Sequence, residues 1–202
     1  MPLHKIPRSA GWALLGGWLL FWVGAANPRL VRVWSAPPDE QLALVAERRN
    51  AWKVTNALFV ASTIVSAAGS ALFGRASPSA RGAAALYGIG SGLRLVSLGV
   101  RLGYYDEPEL RELGGRAFLG HMVVSNAGIA LLGASILRSR SLPRWSGAIA
   151  LALGSAAALS MASGWPRVAG MRSPFEPPAT VHIPLFAVGV AILRASGRRR
   201  AP

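Results

Sequence analysis

The chain has 202 residues, of which 52% are hydrophobic and 15% charged, and its mean hydropathy is +0.38. A soluble domain carries about a quarter charged residues, so this composition would leave one short of polar surface, and the absence of cysteine excludes disulfides, thiolate nucleophiles and cysteine metal sites. The net charge of +14 does not indicate nucleic acid, because lysine and arginine fall in short segments between apolar runs, where they set membrane topology and meet anionic headgroups.

Apolar runs lie near residues 9–26, 54–73, 82–104, 117–137, 145–164 and 177–196. Each is close to the ~20 helical residues that span a ~30 Å hydrocarbon layer. Continuous runs without alternating polarity predict helices rather than barrel strands. The expected fold is all-α, a polytopic membrane bundle of about six transmembrane helices forming one integral domain over 1–202.

The first run follows Lys5 and Arg8 and ends at Val23, Gly24, Ala25 and Ala26, as a secretory signal can. Trp12, Trp18 and Trp22 are bulky for such a signal, and the segment is read as an uncleaved first crossing. Between the first two runs, Ser35, Pro37, Pro38, Asp39 and Glu40 form a helix-start signal capped by the serine, and an outer loop helix is expected near 37–50. Leu42, Val45, Arg49 and Trp52 would lay it on the membrane surface or lead it into the second span. In the second run Ser62, Ser66, Ser70 and Gly74 recur at every fourth position. In the fifth, Ala148, Ala152, Ala156, Ser160 and Gly164 do the same, predicting close helix contacts along both faces. Gly88, Gly90 and Gly92 lack the spacing of a phosphate loop and are read as helix contacts. Tyr104 and Tyr105, followed by Asp106, Glu107 and Glu109, are read as an interfacial belt.

Six crossings divide the charges sharply. One side holds Lys5, Arg8, Arg75, Arg81, Arg138, Arg140, Arg144, Arg194 and the Arg198, Arg199, Arg200 tail, with no acid. The other holds all 8 acids together with Arg29, Arg32, Arg48, Arg49, Lys53, Arg111, Arg116, Arg167 and Arg172. The purely basic side is assigned to the cytoplasm, which places the chain in the cell membrane with both termini inside.

An ionisable group inside a span costs several kcal/mol of insertion free energy, about 3 for arginine at a helix centre, so polar residues within the runs are the functional candidates. Arg94 lies midway along the third run and shares a face with Tyr87, Gly90, Ser97 and Arg101. It is either a structural cation satisfied by Asn126, serines and carbonyls, or the anchor of an anionic ligand. With Asn126, Arg101, His121, His182 and Asn56 it would form a polar cluster in the outer half of the bundle. His121 and His182 can each bond a backbone carbonyl or sit at the interface; as a pair they could ligate haem or relay protons. No carboxylate lies in a span to serve as general base, no catalytic motif is present, and no metal is expected.

The stretch Leu137-Arg138-Ser139-Arg140-Ser141-Leu142-Pro143-Arg144-Trp145-Ser146-Gly147 and the step Gly92-Leu93-Arg94-Leu95-Val96 resemble the bacterial six-pass membrane proteins grouped as domain of unknown function 4386. The resemblance implies a six-helix membrane fold and brings no assigned reaction or binding residue. Three function classes are open. The first is a non-enzymatic protein binding a small anionic or amphipathic ligand in the outer half. The second is a structural or regulatory partner of a membrane complex, or of another copy of itself. The third is a redox protein using haem or quinone. Membrane lipids are the partners common to all three, and no cofactor is expected under the first two.

Overall fold

The computed structural model describes residues 6–163 and 176–197, and all regular structure among them is helical. Six long helices carry the fold: α1 (Arg8–Ala25), α4 (Arg49–Ala76), α5 (Arg81–Gly103), α6 (Pro108–Ser139), α7 (Arg144–Ala162) and α8 (Glu176–Gly197). Two short ones, α2 (Val31–Ser35) and α3 (Pro38–Glu47), join α1 to α4. Proline marks several starts, at Pro38 and Pro108 and in the 3-10 turns opening at Pro28 and Pro78. There its fixed φ fits a first turn and its missing N–H is not needed. The capping serine expected before the loop helix is not the cap. Pro37 takes that position without a side-chain bond, and Gln41 Nε2 closes the entry by donating to the Ala36 carbonyl at 3.2 Å.

Successive long helices pack side by side, and α8 returns to close on α1, so the six form a ring in chain order, with α6 also touching α8. Glycines at the crossings establish that neighbours are antiparallel. A Cβ built on Gly24 would meet Phe59 and one on Gly69 would meet Leu14, which runs α1 against α4. Gly90 faces Ser125 while Gly114 faces Val100, which does the same for α5 and α6, and Gly11 with Gly189 ties α1 to α8. Between α6 and α7 backbone meets backbone: a Cβ on Gly133 would run into the Leu151 amide nitrogen, and one on Gly154 would lie 2.6 Å from the Ala130 amide nitrogen. Arg140 ends α6 at φ 50°, a left-handed cap that more often falls to glycine, and the chain there reverses into α7.

Around the ring the outward surface is apolar, with Trp12, Leu19, Ile64, Ile89, Leu131 and Leu159 all more than half or close to half exposed. Four described helical segments are long and apolar enough to cross a membrane: Arg49–Ala76, Pro78–Gly103, Pro108–Ser139 and Arg144–Ala162. The pair Arg8–Ala25 and Pro28–Trp34, bent by 53°, reaches that length and apolarity only when taken together, and Val181–Gly197 is a shorter apolar helix. This surface and these lengths are compatible with a membrane protein. Two helices overrun their expected apolar runs, α4 and most of all α6, where backbone hydrogen bonding extends past the hydrophobic segment back to Pro108.

The two small-residue stripes behave differently. Ser62, Ser66, Ser70 and Gly74 are all buried; Ser62 Oγ donates to the Gly17 carbonyl at 2.7 Å and Ser66 also faces Gly17, so the first half of the stripe is an α1 contact, while Gly74 faces Ala84 of α5. On α7 the buried face is instead Ser146, Gly147, Ala150, Gly154 and Ala157, while Ala148, Ala152 and Ala156 point outward. A four-residue repeat of alanines looked like the contact, but the closer approach available to glycine decided which face α6 took. Gly164, Lys5, Arg167, Arg172 and the Arg198, Arg199, Arg200 tail lie outside the described residues.

Of the glycine triplet, only Gly90 is a helix contact; Cβ atoms on Gly88 and Gly92 would find nothing within 4 Å. Gly90→Ala, whose Cβ would fall 2.8 Å from the Ser125 amide nitrogen, is expected to lower unfolding free energy by about 1–3 kcal/mol through overpacking. Gly88→Ala and Gly92→Ala should change it by less than about 1 kcal/mol. Denaturation in mixed micelles followed by circular dichroism measures this, and equal losses at all three positions would mean that α5 packs on a different face.

Candidate functional site

The inward face of α5 carries Tyr87, Gly90, Ser91, Arg94 and Ser97, all buried, with Arg101 half-buried at the helix end. Arg94, 4% exposed, is the centre of the site. Its Nη1 donates to His121 Nε2 of α6 at 3.2 Å. Because guanidinium can only donate, Nε2 must carry the lone pair and the ring proton must sit on Nδ1. That proton has the Gly90 carbonyl at 2.9 Å and Ser125 Oγ at 2.9 Å to receive it. His121 is therefore a neutral imidazole fixed in one tautomer, and a second proton would set donor against donor beside a cation.

No acid is ion-paired with Arg94 among the described residues; the pairs present are Arg48–Glu47 and Arg116–Glu112. Two aromatic faces supply electron density instead, with the guanidinium carbon 5.9 Å from the Phe21 centroid and 5.7 Å from that of Phe59. Phe21 comes from α1 and Phe59 from α4, so three helices besides α5 contribute to holding this one cation.

The other expected site residues are distributed unevenly. Asn126, the partner first expected for Arg94, is fully buried one turn beyond His121 and turns its amide nitrogen to the Met122 carbonyl at 2.7 Å. His121 takes the place because it lies about a helical turn nearer Arg94 on the antiparallel neighbour. Asn56 likewise bonds its own helix, donating to the Trp52 carbonyl at 2.8 Å. His182 stacks on the far side of the site against Phe21, with ring centroids 3.9 Å apart. Since His121 has both nitrogens engaged, the two histidines do not offer a metal a pair of free ligands in this arrangement, and no group of three or more His, Asp or Glu among the described residues is placed to hold a metal ion.

Arg94 and Arg101 both line a cavity of about 160 Å³ at the end of the bundle covered by α2 and α3. Its walls are aromatic: Phe21, Phe59, Trp34, Trp52, Tyr105 and Phe118. Val33, Trp34 and Gln41 close it from the α2–α3 side, and Tyr105 Oη donates to Gln41 Oε1 at 3.2 Å across the opening. Arg101 sits over Phe118, its guanidinium carbon 5.3 Å from the centroid, and its carbonyl accepts from Trp52 Nε1 at 2.8 Å. Tyr104 is exposed as an interfacial tyrosine would be, whereas Tyr105 turns inward.

Two N–H groups on cavity-lining side chains are buried without an acceptor, Arg94 Nε and Trp34 Nε1. The described residues that line the cavity include no carboxylate. The sequence signals for Arg94 and Arg101 were their charges inside an apolar run. The aromatic lining carried no such signal, because Trp and Tyr near helix ends read equally well as a membrane-interface belt.

Comparisons with protein-family models, curated proteins and solved structures yield no match, so the loop resemblance between α6 and α7 rests on its own residues.

The pairing of Arg94 with His121 is testable by a double-mutant cycle. His121→Phe leaves the Nη1 donor unpaired and is expected to cost about 1–3 kcal/mol of stability. In the Arg94→Leu background the same change should cost less, giving a coupling of at least about 0.5 kcal/mol. Additive losses, read from unfolding in mixed micelles, would show that the two side chains do not interact.

Proposed function

We propose that this chain is a six-pass integral protein of the cell membrane, N-in and C-in, that binds a small anionic or amphipathic ligand in the cavity beneath α2 and α3. The observation that carries the reading is a pair of cavity-lining arginines with no carboxylate beside them and with two lining N–H groups left without acceptors. In a low-dielectric bundle an unpaired guanidinium is costly, and an anion with oxygen acceptors would offset both the charge and the missing hydrogen bonds.

The charge distribution supports the orientation. Antiparallel packing puts Arg8, Arg75, Arg81, Arg138, Arg144 and Arg194 at one end of the ring and the described acids at the other, the end that holds the cavity. The cavity then faces outward, away from the cytoplasm. A second reading, a structural partner within a larger membrane complex, is favoured by the outward Ala148, Ala152 and Ala156 stripe, which could let another helix approach α7 closely.

Topology is checked with single cysteines in this cysteine-free chain. An impermeant thiol reagent on intact cells should label Glu109→Cys and spare Ser139→Cys; the reverse would overturn the orientation, and equal labelling the helix count. For binding, native mass spectrometry of protein extracted gently from its membrane should show a bound small molecule in wild type that Arg94→Leu lacks. A ligand-free wild type together with an Arg94→Leu variant that melts far below it would make Arg94 a purely structural cation.

A further inference from the structure

We propose that the ligand of this cavity is a monocarboxylate carried on a single planar ring, its carboxylate taken side-on by the Nε–Nη2 edge of Arg94. The inference rests on the binding reading above and adds the chemical class of the ligand. It comes from the edge of the guanidinium that lacks a partner, the size of the cavity and the nature of its walls.

A guanidinium presents parallel N–H pairs whose spacing matches the two oxygens of a carboxylate. His121 occupies Nη1 and, being locked as the Nδ1–H tautomer by Gly90 and Ser125, holds the guanidinium plane from that side. The opposite edge is made of Nε and Nη2. Nε is buried without a partner, and Nη2 makes no hydrogen bond within the described residues. The unpartnered edge of Arg94 is thus a complete side-on fork. A tetrahedral phosphate would carry more charge and a tighter hydration shell into a cavity with only one deep cation, at a greater desolvation cost.

Size limits what the carboxylate is attached to. A cavity of about 160 Å³ is close to the roughly 150 Å³ apolar cavity that accommodates benzene. Its walls suit a ring in particular. Phe21 and Phe59 stack at 5.4 Å, Trp34 and Trp52 lie at 5.5 Å, and Trp52 and Tyr105 at 5.0 Å, so the lining is an array of ring faces and edges spaced as aromatic groups pack on one another. An alkyl chain would fill the same volume without the edge-to-face contacts. Trp34 Nε1–H, unpartnered on the same wall, is a further donor for an acceptor oxygen. Arg101 stands two helical turns along α5 at the cavity rim, where its charge draws anions toward the site without needing to contact them.

The test uses the full chain in lipid nanodiscs and reads the fluorescence of the lining tryptophans, with four probes: benzoate, benzyl alcohol, octanoate and inorganic phosphate. Benzoate should give a saturable change and bind at least tenfold more tightly than each of the other three. Arg94→Lys, which keeps the charge and loses the fork, should weaken benzoate at least tenfold. Tyr105→Leu, which leaves His121, Phe21 and Phe59 on Arg94 and loses a ring of the lining, should weaken benzoate while leaving octanoate unchanged. Melting curves on both variants confirm that they are folded. Octanoate binding as tightly as benzoate would overturn the ring, and phosphate binding as tightly would overturn the carboxylate; either result leaves the anion cavity standing. Tight benzyl alcohol binding, or no saturable change with any probe in folded wild type, would overturn the anion cavity itself.

Discussion

One cation sets the terms for the whole bundle. Arg94 is buried on α5 with no acid paired to it among the described residues, and it is held by a neutral histidine from α6 and by ring faces from α1 and α4. Each of these partners requires a helix to lie at a particular distance and register. His121 reaches Nη1 because Gly90 lets α6 approach α5 until Ser125 lies against it, and the Gly90 carbonyl then fixes the imidazole tautomer. Phe59 reaches the guanidinium because Gly24 leaves room for its ring between α1 and α4. Thus the glycines at the crossings serve the charge as well as the packing.

The histidine solves a problem that a carboxylate would solve differently. An Asp or Glu beside Arg94 would neutralise it and leave an uncharged pair with no demand for a ligand. A neutral imidazole satisfies one donor and orients the plane, but leaves the net charge and the other edge unspent. The cavity therefore keeps a positive centre in an apolar enclosure. Protein interiors rarely retain such an arrangement without a counter-ion, water or ligand to answer it.

The cover over the cavity is built from the chain that joins α1 to α4. The 53° bend after α1 turns the chain across the ring, and α3 packs back through Val45 against Leu30, Val33 and Trp52. This small cluster is separate from the main core that runs down the six helices. Arg48 fastens its hinge by donating from Nη1 to the Arg29 carbonyl at 2.7 Å. Trp52 belongs to α4 and bonds the Arg101 carbonyl, and Asn27 Nδ2 donates to Thr55 Oγ1 at 3.0 Å, so the cover is tied to the ring as well as to itself.

Sequence alone determined that the chain is helical, how many apolar segments it has, where the charges fall between them, and that Arg94 looks inward. These follow from one-dimensional facts: run length, the 3.6-residue period, and the cost of a charge in an apolar run. The tertiary structure alone decided which neighbour answers Arg94, because Asn126 and His121 are separated by little more than one turn on the same helix and only the register of α6 on α5 chooses between them. It also decided which face of α7 is buried, since alanine and glycine stripes both satisfy a four-residue repeat and differ only in how closely a backbone can come. Finally, it assembled the aromatic cavity from side chains on α1, α2, α4, α5–α6 and their connection, residues far apart in the chain whose meeting no local pattern encodes.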